Sequence, residues 1–192
     1  RELRGEMVDD APDPAIDVHV DAYIPPEYVS DDIQRMTLYR RLGAAQTLEG
    51  VEALAEEIED RYGVVPRPLA HLLGAVRLRT LGKRVGASAV TREDPQYTIR
   101  LRAGAYLPEP VQRRLRAAYG RRVQVTPATV TVRTSGVQFA DQVTEVREIM
   151  EALAHFVRDP DGRSQGLPAP ELQATSAGRP SRPPDNTRRR HK

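Results

Sequence analysis

The stretch YVSDDIQRMTLYRRLGAAQTLEGVEALAEEIEDRYGVVPRP, Tyr28 to Pro68, decides how this chain is read. Ser30 or Asp31 can cap a first helix, in which Ile33, Met36, Leu38, Tyr39 and Leu42 recur near helical spacing. Thr47 can cap a second, whose buried stripe is Val51, Leu54, Ala55, Ile58 and Tyr62. Gly63 and Pro66 close it. The acidic residues Glu49, Glu52, Glu56, Glu57, Glu59 and Asp60 fall on the side of that second helix opposite the stripe. Glu57 and Asp60 stand three apart, so their carboxylates are neighbours one turn removed. Like charges so close suit an arginine-rich partner that meets them with charge-assisted hydrogen bonds. A merely solvated face accounts for the same pattern.

Outward from this stretch, DDAPDPA (residues 9–15) reads as an extended linker, and residues 1–15 as the remnant of a longer chain. Ile16 to Ile24 alternates and predicts a half-buried strand ended by Pro25 and Pro26. Pro68 suits the start of a third helix carrying Leu69, Leu72, Leu73, Val76 and Leu81, with Arg77, Arg79, Lys83 and Arg84 favourable at its C-terminal end. Then the period changes. Residues 87–92 and 96–102 predict two strands around Glu93-Asp94-Pro95, and Pro108 opens a fourth helix with Val111, Leu115 and Ala118 inward. Two short strands follow around Thr126-Pro127, and a last helix runs from about Phe139 to Val157. The expected fold class is α+β: a single compact domain, its helical first half packed on a small mixed or antiparallel sheet, with a long C-terminal helix.

The chain has 192 residues, 39% of them hydrophobic, with no Trp and two Phe, so the core must be aliphatic and tyrosine-based. There is no Cys, which removes disulfides and thiolate chemistry. No apolar run approaches the roughly 20 residues a membrane-spanning helix needs, and the composition points to a cytoplasmic protein. The net charge of +2 is uneven. Residues 158–192 hold eight basic and four acidic residues, leaving 21 basic and 23 acidic before them. With six Pro and three Gly in that terminal segment, residues 158–192 read as a disordered Pro/Arg-rich tail.

No catalytic constellation emerges. His19, His71, His155 and His191 are scattered singly, without a ligand pattern, so no metal site is expected. There is no phosphate-cradling glycine loop and no nucleophile elbow. The basic run RRLRAAYGRR, with Arg113, Arg114, Arg116, Arg121, Arg122 and Tyr119, is the candidate for nucleic-acid contact. Together with the basic tail it supports an alternative reading as a nucleic-acid-binding module.

The ordered combination Arg35-x-x-Leu38-Tyr39-Arg40-Arg41, Ala44-Ala45 and Glu57-x-x-Asp60-Arg61-Tyr62-Gly63-x-x-Pro66-x-Pro68 resembles the C-terminal domain of the bacterial transcription-repair coupling factors, the Mfd family. The resemblance covers residues 16–157 and is strongest before Arg84. Tyr62 stands where the family more often has Phe. The resemblance implies a non-catalytic regulatory domain of an ATP-driven DNA translocase that couples transcription to nucleotide excision repair. It implies docking on the UvrA-binding domain of the parent chain, masking that surface until RNA polymerase is engaged, and restraint of the translocase module. UvrA, RNA polymerase and DNA would be indirect partners, with no membrane. ATP and Mg would belong to the parent's motor, with no cofactor in this chain. It places the partner contact on Glu57 and Asp60, with Glu56 and Arg61 beside them.

Overall fold

The computed structural model describes residues 12–159. Residues 1–11 of the expected linker remnant (1–15) and residues 160–192 of the expected tail (158–192) lie outside them; Ala15 belongs to the first strand and Arg158 to the last helix. The elements, in chain order, are β1 (Ala15–Asp17), α1 (Asp32–Ala44), α2 (Leu48–Tyr62), α3 (Arg67–Arg84), β2 (Ala87–Glu93), β3 (Gln96–Leu101), α4 (Glu109–Tyr119), β4 (Val123–Val125), β5 (Thr129–Arg133) and α5 (Phe139–Arg158).

Local signals start and stop the helices. Asp31, rather than Ser30, caps α1 by accepting from the Gln34 N–H at 2.8 Å, and Thr47 caps α2 by accepting from the Gly50 N–H at 3.1 Å. Gly63 takes φ 88°, a left-handed conformation that ends α2 and that a residue with a Cβ adopts only with strain.

The sheet runs β1-β2-β3-β5-β4, with β1 parallel to β2 and every other pair antiparallel. The fold is α+β, as the change of period predicts. Apolar residues gather in two clusters. Leu38, Leu42, Val51, Leu54, Ile58, Leu69 and Leu73 unite α1, α2 and the start of α3. Leu78, Leu81, Val90, Tyr97, Ile99, Val146, Ile149 and Leu153 join the end of α3 to the sheet and α5. α3 is thus a spine shared by both clusters. Leu78 is fully buried although it lies off the stripe read from the sequence, because α3 is covered on more than one side.

Three expectations need correction. The strand expected over Ile16–Ile24 pairs only through Asp17, opposite Thr91. His19, at φ 46°, turns the chain. Beyond it the backbone bonds elsewhere: the Tyr23 N–H donates to the Pro68 carbonyl and the Ile24 N–H to the Tyr39 hydroxyl. In α1, Ile33 and Met36 are exposed, because Leu38 and Leu42 fix the inward face and leave these two on the far side. Ala118 in α4 is likewise exposed. Gly82, in the last turn of α3, is buried against Pro14.

One polar group in the sheet cluster is fully used. The Gln142 carbonyl accepts from Arg92 Nε at 3.0 Å and the Tyr97 hydroxyl at 3.1 Å, and its amide donates to Asp94 Oδ1 and the Gly136 carbonyl. Burial pushes the Tyr97 phenol up to about 12.

Candidate partner-docking surface

α1 and the C-terminal half of α2 are joined by two sets of polar contacts. At the end of α2 the Tyr62 hydroxyl donates to Gln34 Oε1 at 2.8 Å and Arg61 donates to the same oxygen at 3.2 Å. Tyr28 closes this end, donating to the Gly63 carbonyl at 2.6 Å and packing on Tyr62 with ring centroids 5.8 Å apart. One turn back along α2, Arg41 grips Glu57 with two parallel bonds of 2.6 Å, the fork geometry that makes arginine–carboxylate pairs directional.

That pair corrects the expectation that folding leaves both Glu57 and Asp60 without a partner. Glu57 is engaged within the domain, and the hydrogen bonds from Arg41 hold its carboxyl below the ordinary carboxylate range. The pair remains open to solvent, with side chains 45% and 49% exposed. Asp60 is exposed and forms no ion pair among the described residues; Glu56, one turn away, is in the same condition. Arg61 is occupied by Gln34 and by the face of Tyr62, 5.3 Å from its centroid.

The acidic side of α2 therefore divides by function. Glu52 turns inward and binds Arg77 of α3 at 3.0 and 2.5 Å and Arg147 of α5 at 3.2 Å; Arg147 in turn holds Glu151 at 3.0 Å. The Arg77 bonds lower the Glu52 carboxyl. This bridge ties the two apolar clusters together, a structural role that the helical projection alone assigns to the solvated face. Arg79 is also redirected. Rather than facing its own helix end, it donates to the Leu42, Gly43 and Ala45 carbonyls at 2.9 Å each and so caps the end of α1. Sequence reading missed both, since each depends on which helix lies alongside.

The candidate nucleic-acid residues are not gathered into one free basic face. Arg114 stacks on Phe156, 4.1 Å from the ring centroid, and donates to the Asp159 carbonyl. Arg116 donates to Gln112 Oε1 and the Val125 carbonyl at 2.9 Å each, and Arg122 donates to Glu145 at 3.0 Å. Arg113 and Arg121 are exposed. No group of three potential metal ligands occurs among the described residues, and no helix of theirs is long and apolar enough to cross a membrane.

A family model described as the TRCF domain matches residues 18–110. The transcription-repair-coupling factors of Mycobacterium bovis and Mycobacterium tuberculosis are 35% identical over 179 residues, covering 87% of this chain and 14% of each relative. That of Bacillus subtilis is 29% identical over 110 residues, covering 56% of this chain and 9% of the relative. The chain thus spans about a seventh of the length of the mycobacterial relatives. A crystal structure of the C-terminal domain of a transcription-repair coupling factor superposes with TM-score 0.61 at 19% identity, covering 74% of this chain and 94% of that one. At that identity the superposition speaks for the fold.

Proposed function

The chain belongs to the transcription-repair-coupling factor family, as its C-terminal domain, and on that premise we propose that it acts as a non-catalytic latch. In this reading the outer end of α2 docks on the UvrA-binding domain of the parent translocase and masks it until RNA polymerase is engaged.

One observation carries the proposal: Asp60 and Glu56 stay exposed and form no ion pair among the described residues, beside a Glu57–Arg41 pair that is itself half open. A fold that spends Glu52 on internal arginines leaves these neighbours with no internal use. An arginine-bearing surface would satisfy Asp60 and Glu56 directly and share Glu57 with Arg41. Solvent-accessible contacts of this kind are individually modest, so the latch can open when a larger partner competes.

Titrating the separate UvrA-binding domain of the parent protein with this domain tests the assignment. Asp60→Arg with Glu56→Arg should weaken binding by about tenfold or more, as expected for reversing charge at a docking centre. Unchanged affinity would move the surface elsewhere.

A further inference from the structure

Folding explains Leu38 and Leu42 in α1, but it does not explain Ile33 and Met36. These two are 78% and 57% exposed, and Val64, just past the end of α2, is 86% exposed. Scattered exposed apolar residues are ordinary; these share an address. Gln34, bonded to Tyr62 and Arg61, brings the start of α1 against the end of α2. Ile33 adjoins Gln34 in sequence, Asp60 adjoins Arg61, and Val64 follows the Gly63 that Tyr28 holds. The apolar residues and the Asp60 carboxylate therefore lie at the same end of one helix pair. Thr37 bonds back to the Ile33 carbonyl, and Arg40 of the next turn donates to Thr37 Oγ1 at 3.3 Å, which sets a guanidinium at the border of the patch.

Building on the docking surface proposed above, we infer that Ile33, Met36 and Val64 form its apolar anchor. The occupant is a protein surface on which arginine stands beside a large apolar or aromatic side chain. Charge selects this occupant. A phosphate backbone would be repelled by Asp60 and Glu56, whereas an arginine-bearing protein surface meets them and can cover the apolar residues at the same time. Interfaces concentrate their affinity in such desolvated apolar centres, with charged groups at the rim guiding approach.

Three variants of this domain, titrated with the UvrA-binding domain, test the inference: Ile33→Gln with Met36→Gln, Val64→Gln, and Asp60→Arg. All lie at exposed positions, so melting temperatures should stay at the wild-type value. The inference expects the Ile33→Gln, Met36→Gln pair to weaken binding by about tenfold through faster dissociation, and Val64→Gln by a smaller factor. Asp60→Arg should weaken it mainly through slower, less salt-sensitive association. If Asp60→Arg weakens binding while the apolar variants bind as wild type, the anchor is overturned and the acidic docking surface stands. If none of the variants changes affinity, the docking surface itself fails. If the domain alone forms a dimer that Ile33→Gln abolishes, the patch belongs to a second copy and the inference is likewise overturned.

Discussion

Arg41 and Glu57 face each other across α1 and α2 with both guanidinium–carboxylate bonds at 2.6 Å. The most suggestive acid of the chain thus has an arginine of its own, placed where a partner's arginine would otherwise sit. On the proposed docking, Arg41 is an internal competitor for Glu57. Arg41→Gln should free Glu57 and tighten docking severalfold while leaving the melting temperature nearly unchanged, because the pair is solvent-exposed. A titration series at two salt concentrations checks this, and the gain should be larger at low salt.

Glu52 behaves differently because it joins three helices. Removing it leaves Arg77 and Arg147 without their shared carboxylate, so Glu52→Gln should cost about 1–2 kcal/mol in urea denaturation. Its folded carboxyl is lowered by the Arg77 bonds. Its contribution is therefore complete above the ordinary carboxylate range and is lost as pH falls through the folded value. The stability gap between wild type and Glu52→Gln should narrow steadily as the solution is acidified.

Close approach of α3 to α5 depends on Gly74. A methyl group there would come within 2.7 Å of Phe139 Cε1 and 3.3 Å of Val143 Cγ2. Phe139 is buried and edge-packed against His71, so its ring has little room to retreat. Gly74→Ala should destabilise the domain by about 1–3 kcal/mol, the usual cost of overpacking, despite alanine's better helix propensity. Thermal denaturation measures it directly.

The nucleic-acid alternative predicts a different pattern from the one these contacts favour. Because Arg114 is stacked on Phe156, Arg114→Ala should lower the melting temperature and leave DNA affinity unchanged. Arg113→Ala, at an exposed position, should alter neither. A salt-dependent DNA titration that loses binding with Arg113→Ala would revive the alternative.

Much of the fold was legible because its signals are local. The caps at Asp31 and Thr47, the turn residue Gly63 and the alternation of Tyr97, Ile99 and Leu101 each act within a few residues. What escaped depends on neighbours distant in sequence. The exposure of Ile33, the burial of Leu78 between two clusters, and the capping of α1 by Arg79 follow from which helix packs where. The candidate site divides the same way. Helical periodicity shows that α2 has an acidic side. It does not show that Glu52 is taken by α3 and α5, or Glu57 by α1, leaving Glu49, Glu56, Glu59 and Asp60.

Masking is the central claim, and the full-length parent protein tests it most directly. We compare UvrA binding by the wild-type protein at rest, without RNA polymerase, with binding by the Asp60→Arg, Glu56→Arg variant. A released latch exposes the site, so the variant should bind UvrA markedly more tightly than wild type, approaching the affinity of the separate UvrA-binding domain. Identical binding by the two resting proteins, with the fold intact, would contradict the account.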